Sequence, residues 1–250
     1  MAEDRESEVV GERRRINHPR SDFGCMASTQ ATSKILLLLL GAAFYDRASV
    51  PPTRPASAGE QLRADKKITL HERIMSYAIV PLWARCVYWT LSILEAAELY
   101  NKYSQGASVP PLTPTFLAGT AVLIAGTAIR IRCFRELGRH FTYAMSVRDN
   151  HSLVTSGPYG VVRHPAYTGG LLQIIGSTLV IFGADSWWSD IGYTTRLGTF
   201  LAGSSIVCGV IYAYACLRGA KEDEYLARTF GDQWKSWAQK VPYRYIPGIC

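Results

Sequence analysis

The chain has 250 residues and a formal net charge of +7; 48% of its residues are hydrophobic and only 19% charged, below the quarter typical of soluble domains. The apolar residues stand in blocks with the basic ones between them, which argues against a nucleic-acid-binding protein and for a membrane protein with cationic loops. Cys25, Cys86, Cys133, Cys208, Cys216 and Cys250 form no CxxC pair and no metal-ligand spacing, so they read as structural, and no metal site is expected.

Residues 1–33 form a polar tail of mixed charge containing Arg13, Arg14 and Arg15. The apolar run "ILLLLLGAAFY" at 35–45 lacks a convincing A-x-A-like cleavage site after it, so it reads as a first membrane helix extended back through "MASTQATSK". The Pro/Ala-rich "SVPPTRPASAG" marks a linker over 46–73. Further spans, each near the roughly 20 apolar residues a bilayer requires, are expected at 74–100, 115–131, 168–183 and 197–217. The second is interrupted by Pro81, Arg85 and Glu95; ionisable residues at that depth face a bundle interior or snorkel from an end. Glycines recur in the last three (Gly119, Gly126, Gly170, Gly176, Gly203, Gly209), as close packing in lipid requires.

The 130–167 connection is rich in arginine (Arg130, Arg132, Arg135, Arg139, Arg148, Arg163), whereas 184–196 carries Asp185, Asp190 and two tryptophans. The former is therefore expected in the cytoplasm, the latter in the lumen, and the carboxyl-terminal segment in the cytoplasm. In that segment Leu226, Phe230, Trp234, Trp237 and Val241 recur every three or four residues, an apolar stripe on a charged helix bent near Gly231 and ended by Pro242. The expected fold is all-α: a polytopic integral membrane protein of about five transmembrane helices plus a C-terminal cytoplasmic amphipathic helix. Its organisation is a polar tail (1–33), helices one to three with the 46–73 linker (34–131), and a core unit (132–249).

Two polar clusters share the cytoplasmic side in this topology. One runs from Arg148 to Tyr167 before the fourth span, the other from Arg218 to Glu224 after the fifth. Antiparallel neighbours would bring Arg163, His164 and Tyr167 opposite Arg218 and Glu222 across a pocket at the membrane boundary. Arg218 could fork onto a carboxylate, and Glu222, one helical turn on, could hold a cationic amine. Singly, each residue has a plain alternative: arginines as positive-inside anchors, "KEDE" as a solvated first turn, His164-Pro165 as a helix start, the tyrosines as an interfacial belt. Together, at this spacing, they call for a joint explanation.

"HSLVTSGPYGVVRHPAYTGG", an apolar hairpin, and then "RGAKEDEYLARTFGDQWKSWAQKVPYRYIPGI" resemble the isoprenylcysteine carboxyl methyltransferase family over about residues 130–249. The resemblance implies a multi-pass endoplasmic-reticulum membrane enzyme. It would use S-adenosyl-L-methionine to methylate the C-terminal carboxylate of prenylated CaaX-type proteins after proteolytic trimming, with the lipid bilayer as setting and no nucleic acid. Carried over by position, Arg148, His151, Ser152, Leu153, Val154, Tyr159, His164, Pro165, Ala166, Tyr167 and Glu222 fall on cofactor-binding positions. Arg218 falls on the residue that engages the substrate carboxylate, and Arg218 with Glu222 make up the catalytic pair. Asp223 stands where the family has a second Glu, and Trp234 and Trp237 where it has tyrosines. Alternatives are a phospholipid N-methyltransferase and, further off, a sterol-reductase-like membrane protein, whose motif usually reads Arg-His-x-Asn-Tyr rather than Arg-His-Pro-Ala-Tyr.

Overall fold

A computed structural model describes residues 20–50, 79–141 and 152–249. Residues 51–73 of the expected linker and the calls at Arg148 and His151 lie outside them, and residues 46–49, expected as linker, belong to the first helix. Within the described residues the chain is helical: α1 (Arg20–Ser49), α2 (Ile79–Ser104), α3 (Pro114–Leu137), α4 (Pro165–Phe182), the short α5 (Trp187–Asp190), α6 (Arg196–Cys216), α7 (Gly219–Phe230) and α8 (Asp232–Lys240). The helix boundaries follow local chemistry. Thr113 caps α3 by accepting the Phe116 N–H at 3.2 Å, with Pro114 behind it at a position that needs no N–H. Thr195 does the same for α6 by accepting the Gly198 N–H at 2.9 Å. Gly231 (φ 54°) takes a left-handed conformation between α7 and α8, at the expected bend.

Three stretches among the described residues are long and apolar enough to cross a membrane: Pro114–Leu137, Pro165–Phe182 and the continuous Arg196–Phe230. The ionisable Lys34 in α1 and Arg85, Glu95 and Glu98 in α2 interrupt the other two long helices. Large apolar side chains nonetheless turn outward from α1 (Leu36, Leu40), α2 (Leu82, Ile93), α3 (Leu117, Ile124) and α6 (Ile206, Val207, Val210). Such an exterior suits hydrocarbon as solvent.

The α3–α4 pair is the tightest contact in the bundle. A Cβ added at Gly126 would lie 2.5 Å from the Gly169 carbonyl, and one at Gly176 would lie 2.5 Å from the Leu123 nitrogen. The absent side chains therefore let the two backbones touch. A buried hydrogen bond from Gln173 to Thr127 (3.1 Å) joins the same faces. α1 and α2 pack on this pair around Leu38, Ala42, Leu91, Leu99 and Leu123. The two helices flanking the 183–195 turn were expected to be close neighbours. They meet where the Tyr212 hydroxyl of α6 donates to the Tyr167 carbonyl of α4 (3.0 Å), and residues of both line a cavity beside that contact. A second apolar cluster, Cys133, Tyr159, Trp237 and Val241, fixes the carboxyl-terminal helices to the loop preceding α4.

At the end of the bundle away from that loop, Lys34 and Glu95 form a buried ion pair (3.1 Å), each residue about 3% exposed. The lysine also donates to the Asp185 carbonyl (3.1 Å), and the Trp187 N–H donates to Glu95. A charge pair at this depth persists only with its remaining hydrogen bonds met, as they are here by the 183–187 turn.

Candidate active site

The loop before α4 begins with Ser156, whose hydroxyl donates to Glu136 of α3 at 2.7 Å. Gly157 follows with φ 58°. A Cβ there would meet the Glu136 carboxylate at 2.8 Å, so both the turn and the close approach require glycine. The next residues, 157–160, make a short 3₁₀ turn that buries Tyr159, and Trp237 of α8 donates to the Tyr159 carbonyl (3.1 Å). Burial pushes the Tyr159 phenol well above its ordinary value, so it acts as a neutral wall and not as a base. One of the two tryptophans that depart from the family pattern thus latches the loop. The other, Trp234, lies under the Arg163 guanidinium, 5.9 Å from it.

His164 and Glu222 are the centre of the arrangement. His164 Nδ1 lies 3.4 Å from the Glu222 carboxylate and Nε2 lies 2.9 Å from Asp223. The Tyr167 hydroxyl donates to the other Glu222 oxygen at 2.6 Å. Asp223 also pairs with Arg163 (3.3 Å) and with Arg244 (2.8 Å). Burial disfavours the imidazolium, but the hydrogen-bonded carboxylates of Asp223 and Glu222 outweigh it and lift His164 to about 9. The ring therefore carries a positive charge near neutral pH and donates from both nitrogens.

A cavity of about 330 Å³ opens beside these groups. Its polar end is lined by Arg163, His164, Tyr167, Arg218, Glu222 and Tyr225. The remainder runs between α2, α4 and α6 past Leu91, Ile174, Ile181, Cys208 and Gly209, an apolar passage along the length of α4. Tyr212 of α6 closes the inner side by donating to the Tyr167 carbonyl at 3.0 Å. Arg130 of α3 lines the cavity, is buried, and donates to the carbonyls of Ala48 (2.8 Å) and Ala166 (3.0 Å).

Of the residues singled out in the sequence, Leu153, Val154, Tyr159, His164, Ala166, Tyr167, Arg218 and Glu222 line this one cavity. Two do not: Ser152 is exposed at the surface, and Pro165 is fully buried away from the cavity wall. Proline there sets the helix start. Sequence reasoning passed over Asp223, Arg244 and Tyr245 as participants. Asp223 was marked only as standing where the family has a second Glu, and the signal for Arg244 and Tyr245 is an arginine and tyrosines in a proline-bounded segment too short for a helix. The lining can hold a cofactor with a cationic amine and a polar ring system: Glu222 presents a negative charge to the cavity, and Tyr159, Tyr167, Leu153 and Val154 offer flat or apolar walls. Among the described residues, no group of three or more His, Cys, Asp or Glu side chains could hold a metal ion.

Residues 119–227 match the model of the isoprenylcysteine carboxyl methyltransferase family. Protein-S-isoprenylcysteine O-methyltransferase B of Arabidopsis thaliana is 29% identical over 126 residues, covering 50% of this chain and 55% of that protein. The protein-S-isoprenylcysteine O-methyltransferases of Schizosaccharomyces pombe and Rattus norvegicus are each 27% identical, covering 48% and 53% of this chain and 44% and 42% of their own lengths. The chain spans about half the length of the curated relatives it matches. The matched residues 119–227 include the polar end of the cavity and its lining from α4 and α6, but not its lining from α1, α2 and α8.

Proposed function

We propose that this chain transfers a methyl group from S-adenosyl-L-methionine to the C-terminal carboxylate of a prenylated cysteine at the cytoplasmic face of the endoplasmic-reticulum membrane. The observation that carries this reading is the shape of the cavity: one end holds Arg218, His164 and Glu222, and the other is an apolar passage between membrane-length helices. An acceptor with a charged head and a long hydrocarbon chain matches both ends. The family match supports the chemistry.

The topology that goes with this reading has five spans, with α1 and α2 added to the three apolar stretches and the α7–α8 segment lying as an amphipathic element on the cytoplasmic side. Lys34 and Glu95 are compatible with spanning because they neutralise each other inside the bundle. The unit from 132 to 249 then supplies the transfer site, and the preceding helices wall the passage. Acceptors in this reading are CaaX-type proteins after prenylation and proteolytic trimming.

S-Adenosyl-L-methionine supplies a methyl group already activated on a sulfonium. An ionised carboxylate is nucleophile enough for such a carbon, so the residues need no general base; their work is binding, alignment and exclusion of water. Arg218 holds the acceptor carboxylate through its planar fork. Glu222, oriented by His164 and the Tyr167 hydroxyl, holds the cationic amine of the donor, and its negative charge favours a cationic donor over a neutral product. Leu153, Val154 and Tyr159 form the wall against which the donor's ring system packs. Arg148, His151, Ser152, Pro165 and Ala166 complete the donor-binding set that the family resemblance implies.

Membranes containing the chain, given labelled S-adenosyl-L-methionine with either N-acetyl-S-farnesylcysteine or phosphatidylethanolamine, test this directly. A base-labile methyl ester on the farnesylcysteine is the expected product. Label found only in the phospholipid would replace this reading with an N-methyltransferase.

A further inference from the structure

The two neighbouring acids of α7 point to different places. Glu222 lines the cavity; Asp223 is absent from its wall and faces the carboxyl-terminal tail. Successive helix residues diverge by about 100°, so only one of the pair can meet a ligand while the other meets the protein. Asp223 is 4% exposed and carries three cationic partners: His164 Nε2 at 2.9 Å, Arg163 at 3.3 Å and Arg244 at 2.8 Å.

The tail is bound to the same place through its backbone. The Arg163 N–H donates to the Tyr243 carbonyl (2.9 Å), the His164 N–H to the Arg244 carbonyl (2.8 Å), and the Thr168 hydroxyl to the Tyr245 carbonyl (2.7 Å). Three consecutive carbonyls thus accept from residues at the start of α4, and one of these donors, the N–H of the N-cap His164, is a group that helix geometry leaves without a partner. The Tyr245 hydroxyl donates to the Cys216 carbonyl at the end of α6, and its ring lies 5.9 Å from that of His164. A Cβ at Gly219 would collide with that phenol, so glycine at the first position of α7 is needed for the tail to seat.

We infer that Asp223 is the positioning residue of the donor site, fixing the His164 ring in register with Glu222, and that the 243–245 tail, through Arg244, is the support that holds Asp223. The inference rests on the methyl-transfer reading only for what the site binds. Two of the three groups that fix Asp223, Arg163 and His164, come from the loop before α4. The third comes from the tail, so that segment belongs to the site although none of residues 243–245 lines the cavity. The other groups facing the ring are Glu222 and Tyr167 on the cavity side and Tyr245 on the tail side. Arg218 adds a positive charge beside Glu222. Asp223 is therefore one of two carboxylates that balance the imidazolium, and the one that is itself locked in place.

The test uses the full chain in detergent with isotopically labelled histidine, the His164 signal being identified by its loss in His164→Gln. With Asp223→Asn the NMR titration midpoint of His164 falls by about one pH unit or more, and with Asp223→Glu it stays within about half a unit of the parent. Calorimetry with S-adenosyl-L-methionine gives the second readout. Affinity drops about tenfold in Asp223→Asn and severalfold in Arg244→Gln, and Asp223→Glu and Arg244→Lys restore most of it. An unchanged midpoint and affinity in Asp223→Asn would overturn the inference while leaving the donor reading intact. No binding of S-adenosyl-L-methionine by the parent chain would remove the donor reading, and the His164 titration would still decide the role of Asp223. If Asp223→Asn does not fold, the Arg244 pair decides: equal affinity in Arg244→Gln and the parent overturns the tail's part.

Discussion

The bundle carries two buried ionic clusters, and they differ in one respect. Lys34 and Glu95 are closed: their remaining hydrogen bonds go to the backbone of the 183–187 turn, and neither residue lines the cavity. His164 and Arg218 are nearly as buried and Arg163 and Glu222 are partly buried, and each presents part of itself to the cavity. A saturated pair contributes to holding helices in register, and a pair with an open side can do chemistry on a visitor. Burial of charge alone does not mark a site; burial of charge beside empty space does.

Substitutions at the two clusters should separate these roles. At the open cluster, Arg218→Gln or Glu222→Gln lowers methyl transfer to N-acetyl-S-farnesylcysteine by about 100-fold or more, because each removes an interaction aimed at a charged reactant. Thermal unfolding of the variants checks that the fold remains. At the closed cluster, Glu95→Ala strands a buried ammonium and costs about 3–5 kcal/mol of stability, whereas the double change Lys34→Met with Glu95→Leu is close to neutral. Denaturation in detergent measures both, and a double variant as unstable as the single one would contradict the structural role. An intermediate effect is expected between the clusters, at the α3–α4 contact. Gly176→Ala forces a methyl against the Leu123 backbone and costs about 1–3 kcal/mol with no specific effect on donor binding.

The smallest effect concerns pH. The folded His164 titrates at about 9 and its ordinary value is 6.5, so its protonated form favours the folded state. That stabilisation is complete below about 6.5 and drains away as pH rises through 9. The melting temperature of the parent should decline across this window more steeply than that of His164→Gln. Parallel curves would show that the imidazolium does not contribute. The closed cluster supplies no histidine, so Lys34→Met with Glu95→Leu should leave the slope in this window intact.

Much of this was legible in the chain and some was not, for identifiable reasons. The apolar runs at 115–131, 168–183 and 197–217 announce α3, α4 and α6 because length and composition suffice to mark a membrane helix. Arg218 and Glu222 could be paired with His164 and Tyr167 because two spans joined by a short turn must return to the same side. The cavity between α4 and α6 was not legible: whether neighbours pack along their length or leave space depends on a third element, here α2, which also lines it. The tail was illegible for another reason. Its hold on α4 is made by carbonyls, which every residue possesses, so no pattern of side chains from Pro242 to Ile249 signals it. Pro165 shows the converse, a motif residue whose place is explained by helix initiation without contact with the cavity.

The central claim is that Glu222 serves the donor and Arg218 the acceptor, one helical turn apart at the polar end of one cavity. The most direct test is a pair of KM values measured on each variant in membranes. Arg218→Gln should raise the KM for N-acetyl-S-farnesylcysteine while leaving that for S-adenosyl-L-methionine within about twofold, and Glu222→Gln should do the reverse. If both variants raised the same KM, or if Arg218→Gln impaired only the donor, the division between the two residues would be wrong.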